Sequence, residues 1–165
     1  MNNPVNNINV SQASEASDQI FDPARLYHVG ICVKDIDATV KFYTDVFGIG
    51  PFTFRDVTYD NATYYGKIAG YRGKRAFAQL GPMVLELIEL VDGPTIQEDF
   101  LKQHGEGLHH LGFEVDNLKA SIEAAVRRGL TITQSFTRSD GSGFAYVDSD
   151  RIGGTIFEIV EKIKP

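Results

Sequence analysis

Between Leu26 and Val33 the apolar residues fall at every second position. Val29, Ile31 and Val33 share one side, and His28, Gly30 and Cys32 share the other, which is the period of a strand. The period then lengthens. Ile36, Val40, Tyr43 and Phe47 recur at helical spacing, Asp35 or Asp37 is placed to cap the first turn, and Gly48 to end the last. This stripe reads as core, packed on the apolar side of the strand. Gly50-Pro51 marks a turn. Phe52 to Tyr65 is rich in aromatic and β-branched residues interrupted by Asp60-Asn61, so a strand, a turn and further extended chain are expected. Arg75 to Leu80 and Met83 to Leu90 read as strands joined through Gly81-Pro82. After the break at Asp92-Gly93-Pro94, a connecting helix is expected from Thr95 to His104, with Ile96, Phe100 and Leu101 on one side and Gly105 at its end.

The scheme then starts again. Leu108 to Val115 is a strand. Asp116 or Asn117 caps a helix that turns Leu118, Ile122, Ala125 and Val126 inward and stops at Gly129. Leu130 to Phe136, Phe144 to Val147 and Thr155 to Glu161 are strands. Individual residues repeat along with the pattern. At an offset of 82 positions His28 meets His110, Gly30 meets Gly112, Val33 meets Val115 and Ala38 meets Ala120. At an offset of 72, Gly81-Pro-Met-Val-Leu-Glu86-Leu-Ile-Glu89 meets Gly153-Gly-Thr-Ile-Phe-Glu158-Ile-Val-Glu161. The expected architecture is therefore α+β: two βαβββ modules forming a curved mixed sheet around a cleft. Residues 25–93 make the first module, 94–106 the connecting helix and 107–165 the second module. Residues 1–24 are polar and are expected to form a flexible arm.

Composition narrows the function classes. A chain of 165 residues with 42% hydrophobic content can bury a real core. A net charge of −6 argues against nucleic acid or an anionic membrane as partner. The one basic cluster, Lys67, Arg72, Lys74 and Arg75, reads as a solvated loop or strand edge. No apolar run is long enough to span a bilayer, and the N-terminus has neither the basic nor the apolar part of a secretory signal. The lone Cys32 rules out an intrachain disulfide and fits a reducing cytoplasm. Sharing a face with His28, it reads as inert core rather than as a nucleophile.

Glu86 and Glu158 each interrupt an apolar strand. A carboxylate so placed costs several kcal/mol unless it is paired, bound to a cation or turned to water at an edge. Two at matching positions, each in a module that also offers a histidine, point away from the edge explanation. Should the sheets curl toward one another, His28, Glu86, His110 and Glu158 would meet. Two imidazoles and two carboxylates suit one divalent ion (Co, Mn, Ni, Zn, Mg or Fe(II)) and would leave two adjacent positions for neighbouring oxygens of a substrate. The spacing is not that of a zinc finger. His109, next to His110, should point to the opposite face as a packing or interface residue. Glu89 and Glu161 should be solvated strand ends. Glu114 shares the face of His110 and could line a cavity or the surface. Gln79, Phe54, Tyr65 and Tyr146 are candidate pocket residues, with Tyr64 and Phe144 as possible walls.

These same motifs, His28-Val-Gly-Ile-x-Val-x-Asp, Leu85-Glu86-Leu-Ile-Glu89, Gly105-Glu-Gly-Leu-His-His110-Leu-Gly-Phe-Glu-Val-Asp116 and Phe157-Glu158-Ile-Val, resemble the vicinal oxygen chelate superfamily of glyoxalase-type lyases, methylmalonyl-CoA epimerases, extradiol dioxygenases and bleomycin or fosfomycin resistance proteins. The resemblance covers Leu26 to Glu161 and implies that His28, Glu86, His110 and Glu158 are metal ligands. The stretch from Gly105 to Asp116 is most like the methylmalonyl-CoA epimerases. That implies proton removal next to a chelated carbonyl, with Glu158 as base, a small substrate with two adjacent oxygens, and a homodimer. The chain departs from those enzymes between Asp60 and Arg75, and the strand from Lys74 to Leu80 offers no second acid. The alternatives are a glyoxalase-like lyase or isomerase of a hydroxy-carbonyl compound and, in another class, a non-catalytic ligand-binding resistance protein. A dioxygenase, whose iron prefers two histidines and one carboxylate, fits a four-ligand set less well.

Overall fold

The computed structural model describes residues 19–163, so most of the polar arm expected over 1–24 lies outside them. Strand β1 (Leu26–Cys32) leads into helix α1 (Ile36–Phe47), where the Asp35 carboxylate accepts from the Ala38 N–H and Gly48 closes the last turn in the left-handed region. Strand β2 (Thr53–Tyr59), a short hairpin of β3 (Thr63–Tyr64) and β4 (Lys67–Ile68), and the long strands β5 (Tyr71–Leu80) and β6 (Met83–Asp92) follow. Helix α2 (Ile96–His104) is capped by Thr95. The second half runs β7 (Gly107–Glu114), α3 (Leu118–Arg127, capped by Asn117), β8 (Ile132–Thr137), β9 (Gly143–Val147) and β10 (Ile156–Glu161).

All ten strands join one curled mixed sheet, in the order β2-β5-β6-β1-β7-β10-β9-β8-β3-β4. Its centre is the antiparallel pair β1 and β7, and each of these is flanked by the last strand of its own half in parallel, β6 and β10. Outward from the centre the two halves have the same order of strands. The hairpin breaks the symmetry: it leaves the first half and pairs with β8 at the far edge of the second. The curl brings β2 and β8, the outermost of the four strands that repeat in each half, together, so that Tyr59 of β2 meets Phe136 of β8 with ring centroids 4.5 Å apart.

The helices α1 and α3 cover the convex face. Val33, Ile36, Ala76, Leu85 and Leu87 pack under α1, and Val115, Leu118, Ala145 and Ile159 under α3. Each fully buried Leu or Ile contributes about 1.5–3 kcal/mol. Glu89 and Glu161 are not the solvated strand ends that the sequence suggests. Glu89 accepts from the Ile36 N–H at 2.7 Å and Glu161 from the Leu118 N–H at 2.7 Å, so the last strand of each half holds the first turn of that half's outer helix. A free N–H and a positive dipole end attract a carboxylate there. The concave face carries Tyr71, Ile96, Phe144 and Tyr146 and holds the polar cluster described next.

Candidate metal centre

Strand register assembles the cluster. In one cross-sheet row Gly30 stands between Glu86 and His110; in the next, Gly112 stands between His28 and Glu158. The glycines are required by the close approach of the rings. A Cβ at Gly30 would overlap the His110 imidazole, and one at Gly112 would overlap that of His28. Each half thus supplies a histidine and the space for the other half's histidine, which is the physical reason for the repeated His-x-Gly.

The four ligand-type atoms lie within 4.8 Å of one another. His28 Nε2 is 2.9 Å from His110 Nε2, 2.8 Å from Glu158 Oε2 and 3.3 Å from Glu86 Oε2. His110 Nε2 is 3.2 Å from Glu158 Oε2 and 3.7 Å from Glu86 Oε2. Ligands at about 2.1 Å from one ion stand about 3 Å apart when adjacent. The contacts to Glu158 Oε2 are short but poorly aligned as hydrogen bonds, which leaves this buried oxygen without a donor. Buried orphan acceptors are rare. The donor set, the spacing and the orphaned oxygen all fit a divalent cation.

Electrostatics agree with this arrangement. Burial pushes the carboxyl groups of Glu158 and Glu86 up, but the neighbouring imidazoles outweigh it, helped at Glu86 by Arg75, and both are held below the usual carboxylate range. Burial pulls His110 down, while Glu158 and Glu86 together raise it to about 9. The site as folded thus favours two ionised carboxylates with positive charge between them.

Arg75 corrects the reading of the basic cluster as solvated. It is buried on the concave face with Nε 3.4 Å from Glu86 Oε1. The clue available in the sequence was parity: Arg75 alternates with Tyr71 and Phe77 along β5. His109 does not point away from His110. The pairing of β7 with β1 slips between Gly30 and Ile31, and this irregularity leaves both rings buried side by side, with their Nδ1 atoms 2.9 Å apart. His109 also packs edge-on to Phe100 and against Tyr146. Burial and the charge of His110 lower it to about 3, so it is a neutral neighbour.

The candidate pocket residues divide. Tyr146 pairs across the strands with Glu158 and stands edge-on to His110 at 5.1 Å, its buried hydroxyl shifted well above the usual range. Phe144 lines a cavity of about 400 Å³ that opens beside His28, Glu86 and Glu158, together with Tyr27, Arg55, Tyr59, Phe77, Arg138 and Lys162. Phe54 is not on this wall; it has the opposite parity to Arg55 on β2 and is exposed. Gln79 turns its amide back to the Gly81 and Met83 carbonyls. Tyr65 lines a separate cavity with Asp99 and Asp150, and Tyr64 donates to Asp99. Glu114 is held by Arg25 and Lys162. Cys32 is fully buried and its thiol is pushed up to about 12 by burial, as befits inert core.

Comparison with known proteins places these features in context. The family model described as "Glyoxalase/Bleomycin resistance protein/Dioxygenase superfamily" matches residues 27–146. The YqjC protein of Bacillus subtilis is 27% identical over 139 residues, 83% of this chain and 91% of that protein. The mitochondrial methylmalonyl-CoA epimerase of Homo sapiens is 25% identical over 124 residues, 72% of this chain and 64% of the human protein, so the chain spans less than two thirds of that enzyme. Among solved structures, a Streptomyces coelicolor methylmalonyl-CoA epimerase in complex with 2-nitronate-propionyl-CoA superimposes with a TM-score of 0.65 at 23% identity, covering 85% of this chain and 98% of that one. A hypothetical protein of Bacillus halodurans gives 0.62 at 20% identity, covering 85% and 95%. Both structures share the fold. No helix among the described residues is long and apolar enough to cross a membrane.

Proposed function

Because the chain belongs to the glyoxalase/bleomycin resistance protein/dioxygenase superfamily, we propose that it is a metal-dependent epimerase or isomerase that removes a proton from the carbon next to a carbonyl. The observation that carries this reading is the clustering of His28, Glu86, His110 and Glu158, of which His28, Glu86 and Glu158 line a cavity of substrate size. These four side chains would hold the ion. When bound, a divalent cation supplies Lewis-acid stabilisation of the negative charge that gathers on two adjacent substrate oxygens as the proton leaves.

The protein's own residues do the rest. Glu158 is ionised and buried and its carboxylate borders the cavity, so with Oε2 turned to the ion its other oxygen would take the proton from the substrate carbon. Epimerisation needs the proton returned on the opposite face by a second donor, whereas isomerisation needs Glu158 alone to deliver it to the neighbouring carbon. Arg75 neutralises Glu86 from behind and keeps that carboxylate directed at the centre. Tyr59, Phe77 and Phe144 wall the cavity and limit water around the reacting carbon. The epimerase relatives and the motif around His110 favour epimerisation of an acidic thioester. A second reading, a single-base isomerase or lyase of a hydroxy-carbonyl compound, is favoured by β5, whose inward residues beside Glu86 are Arg75 and Phe77 rather than a second acid.

Solvent deuterium uptake decides between them. Metal-loaded protein is incubated in D₂O with α-acidic thioesters and with hydroxy-ketones, and exchange at the α-carbon is followed by NMR. Glu158→Gln should slow exchange by about 10²-fold or more, with binding weakened much less. An unchanged rate would remove Glu158 as the base, and exchange with none of the compounds would count against the reaction class.

A further inference from the structure

The cavity beside the cluster changes sign along its length. Its more buried part carries His28, Glu86 and Glu158, and its more exposed part, the rim, carries Arg55, Arg138 and Lys162, with Glu161 also on the lining but engaged by the Leu118 N–H. Arg55 pairs in register with the buried Arg75 and so shares the concave face. Arg138 lies just past β8, at the same parity as Gln134 and Phe136, which pair with Tyr146 and Phe144 of the concave face. The two arginines thus come from β2 and from the end of β8, the outer repeated strands of the two halves, and line one opening. Each guanidinium is backed by a ring: Arg55 lies 5.8 Å from the Phe77 centroid and Arg138 5.3 Å from that of Phe136. Their charges are not spent. Lys162 is paired with Glu114, and Arg25, Arg72, Lys74 and Arg75 have carboxylate partners. Arg55 and Arg138 form no ion pair with an acid among the described residues. Asp140, close to Arg138 in sequence, turns its Oδ1 to Ser142 and forms no ion pair with Arg138, although it feels that charge at longer range. In a chain with a net charge of −6, two guanidinium groups outside any ion pair at the mouth of one cavity are a local reversal of the surface charge.

We propose that Arg55 and Arg138 form an anion subsite that selects substrates bearing a carboxylate or phosphate group beyond the oxygen pair held at the metal centre. This rests on the proposed metal-dependent function and narrows its substrate class to small acidic carbonyl compounds. A planar guanidinium on either side can engage two oxygens of one oxyanion, and the ring behind each limits the rotamers it must give up on binding. A cleft walled by aromatic rings screens the contact less than open surface would.

Three hydroxamates test it, each presenting two adjacent oxygens to a metal: acetohydroxamate, which has no further charge, malonic acid monohydroxamate, which adds a carboxylate, and phosphonoacetohydroxamate, which adds a phosphonate. Binding is measured by titration calorimetry on Mn- or Co-loaded protein at fixed salt. At least one of the two charged probes should bind about tenfold or more tighter than acetohydroxamate, and the better of the two identifies the anion. Arg55→Gln and Arg138→Gln should each cut that advantage severalfold, and the double variant should abolish it, with acetohydroxamate affinity and metal content unchanged. That unchanged affinity also shows that the variants are folded. Equal binding of all three probes to the unaltered protein, or an advantage that survives in the double variant, would overturn the subsite while leaving the metal reading intact. Failure of acetohydroxamate itself to bind the metal-loaded protein would overturn the reading of an ion with two open positions for substrate oxygens, and the subsite with it.

Discussion

Gly30 and Gly112 show how much of the site is decided at single positions. Each is needed for the volume it leaves empty, because the histidine of the opposite half occupies that volume. Gly112→Ala should therefore push the His28 imidazole off the centre. Loss of one of four ligands is expected to weaken metal binding by more than the roughly tenfold to hundredfold that loss of a ligand's outer-shell partner costs, while far-ultraviolet circular dichroism and cooperative unfolding persist. Full metal occupancy in this variant at unchanged affinity would mean that the ring is not a ligand. The four ligand candidates were legible in the sequence because the repeat pairs them and because a carboxylate in an apolar strand needs a reason. Arg75 was harder to see. Its neighbours Arg72 and Lys74 are basic and solvent-accessible, and only the pleat of β5, which turns 71, 75 and 77 to the concave side, separates it from them. Buried beside Glu86, it supplies the compensation that a second carboxylate at the centre requires.

At the scale of the element, each half ties its last strand to its outer helix by a single carboxylate. Glu89 reaches the N-terminus of α1 and Glu161 that of α3. Glu89→Ala and Glu161→Ala should each cost about 1 kcal/mol in urea unfolding of the metal-free protein, and the double variant about 2 kcal/mol, since the contacts lie in separate halves and should add. The Gln variants keep an acceptor oxygen and should lose less. A midpoint unchanged in both Ala variants would show that water satisfies those N–H groups equally well. The sequence showed these glutamates repeating but not their partners, because the contact joins residues 53 and 43 positions apart and depends on how each helix lies on the sheet. The same limit explains His109. Alternation alone puts adjacent histidines on opposite faces, and the slip in pairing that overrides it belongs to the contact between β1 and β7, not to either strand. On β2 the pleat decided against Phe54 and for Arg55, a choice that fixes what the cavity mouth presents. The caps of α1 and α3 were readable to within two neighbouring candidates each, Asp35 or Asp37 and Asp116 or Asn117, because they depend on local chemistry only; Asp35 and Asn117 are the ones that accept from the first turn.

For the whole molecule, the candidate centre straddles the seam between halves: His28 and Glu86 come from one, His110 and Glu158 from the other. An unfolded chain cannot hold groups spread over 131 residues, counting from His28 through Glu158, within 4.8 Å of one another. An ion bound by all four therefore binds the folded state almost exclusively, and its binding free energy adds to the free energy of folding. At a free-ion concentration a hundred times the dissociation constant, the gain is about 2.7 kcal/mol. For a chain of this size that corresponds to a rise in Tm of roughly 5–10 °C. Excess chelator should reverse the rise. His110→Ala should abolish the metal-dependent increment, whatever that variant's own metal-free Tm, so that lost ligation is read separately from lost packing. Equal Tm values for loaded and stripped protein, or an increment that survives in both His28→Ala and His110→Ala, would sink the assignment of this seam as a metal centre. A normal increment in Arg55→Gln and Arg138→Gln would place those residues outside the ligand set, as their position at the cavity rim requires.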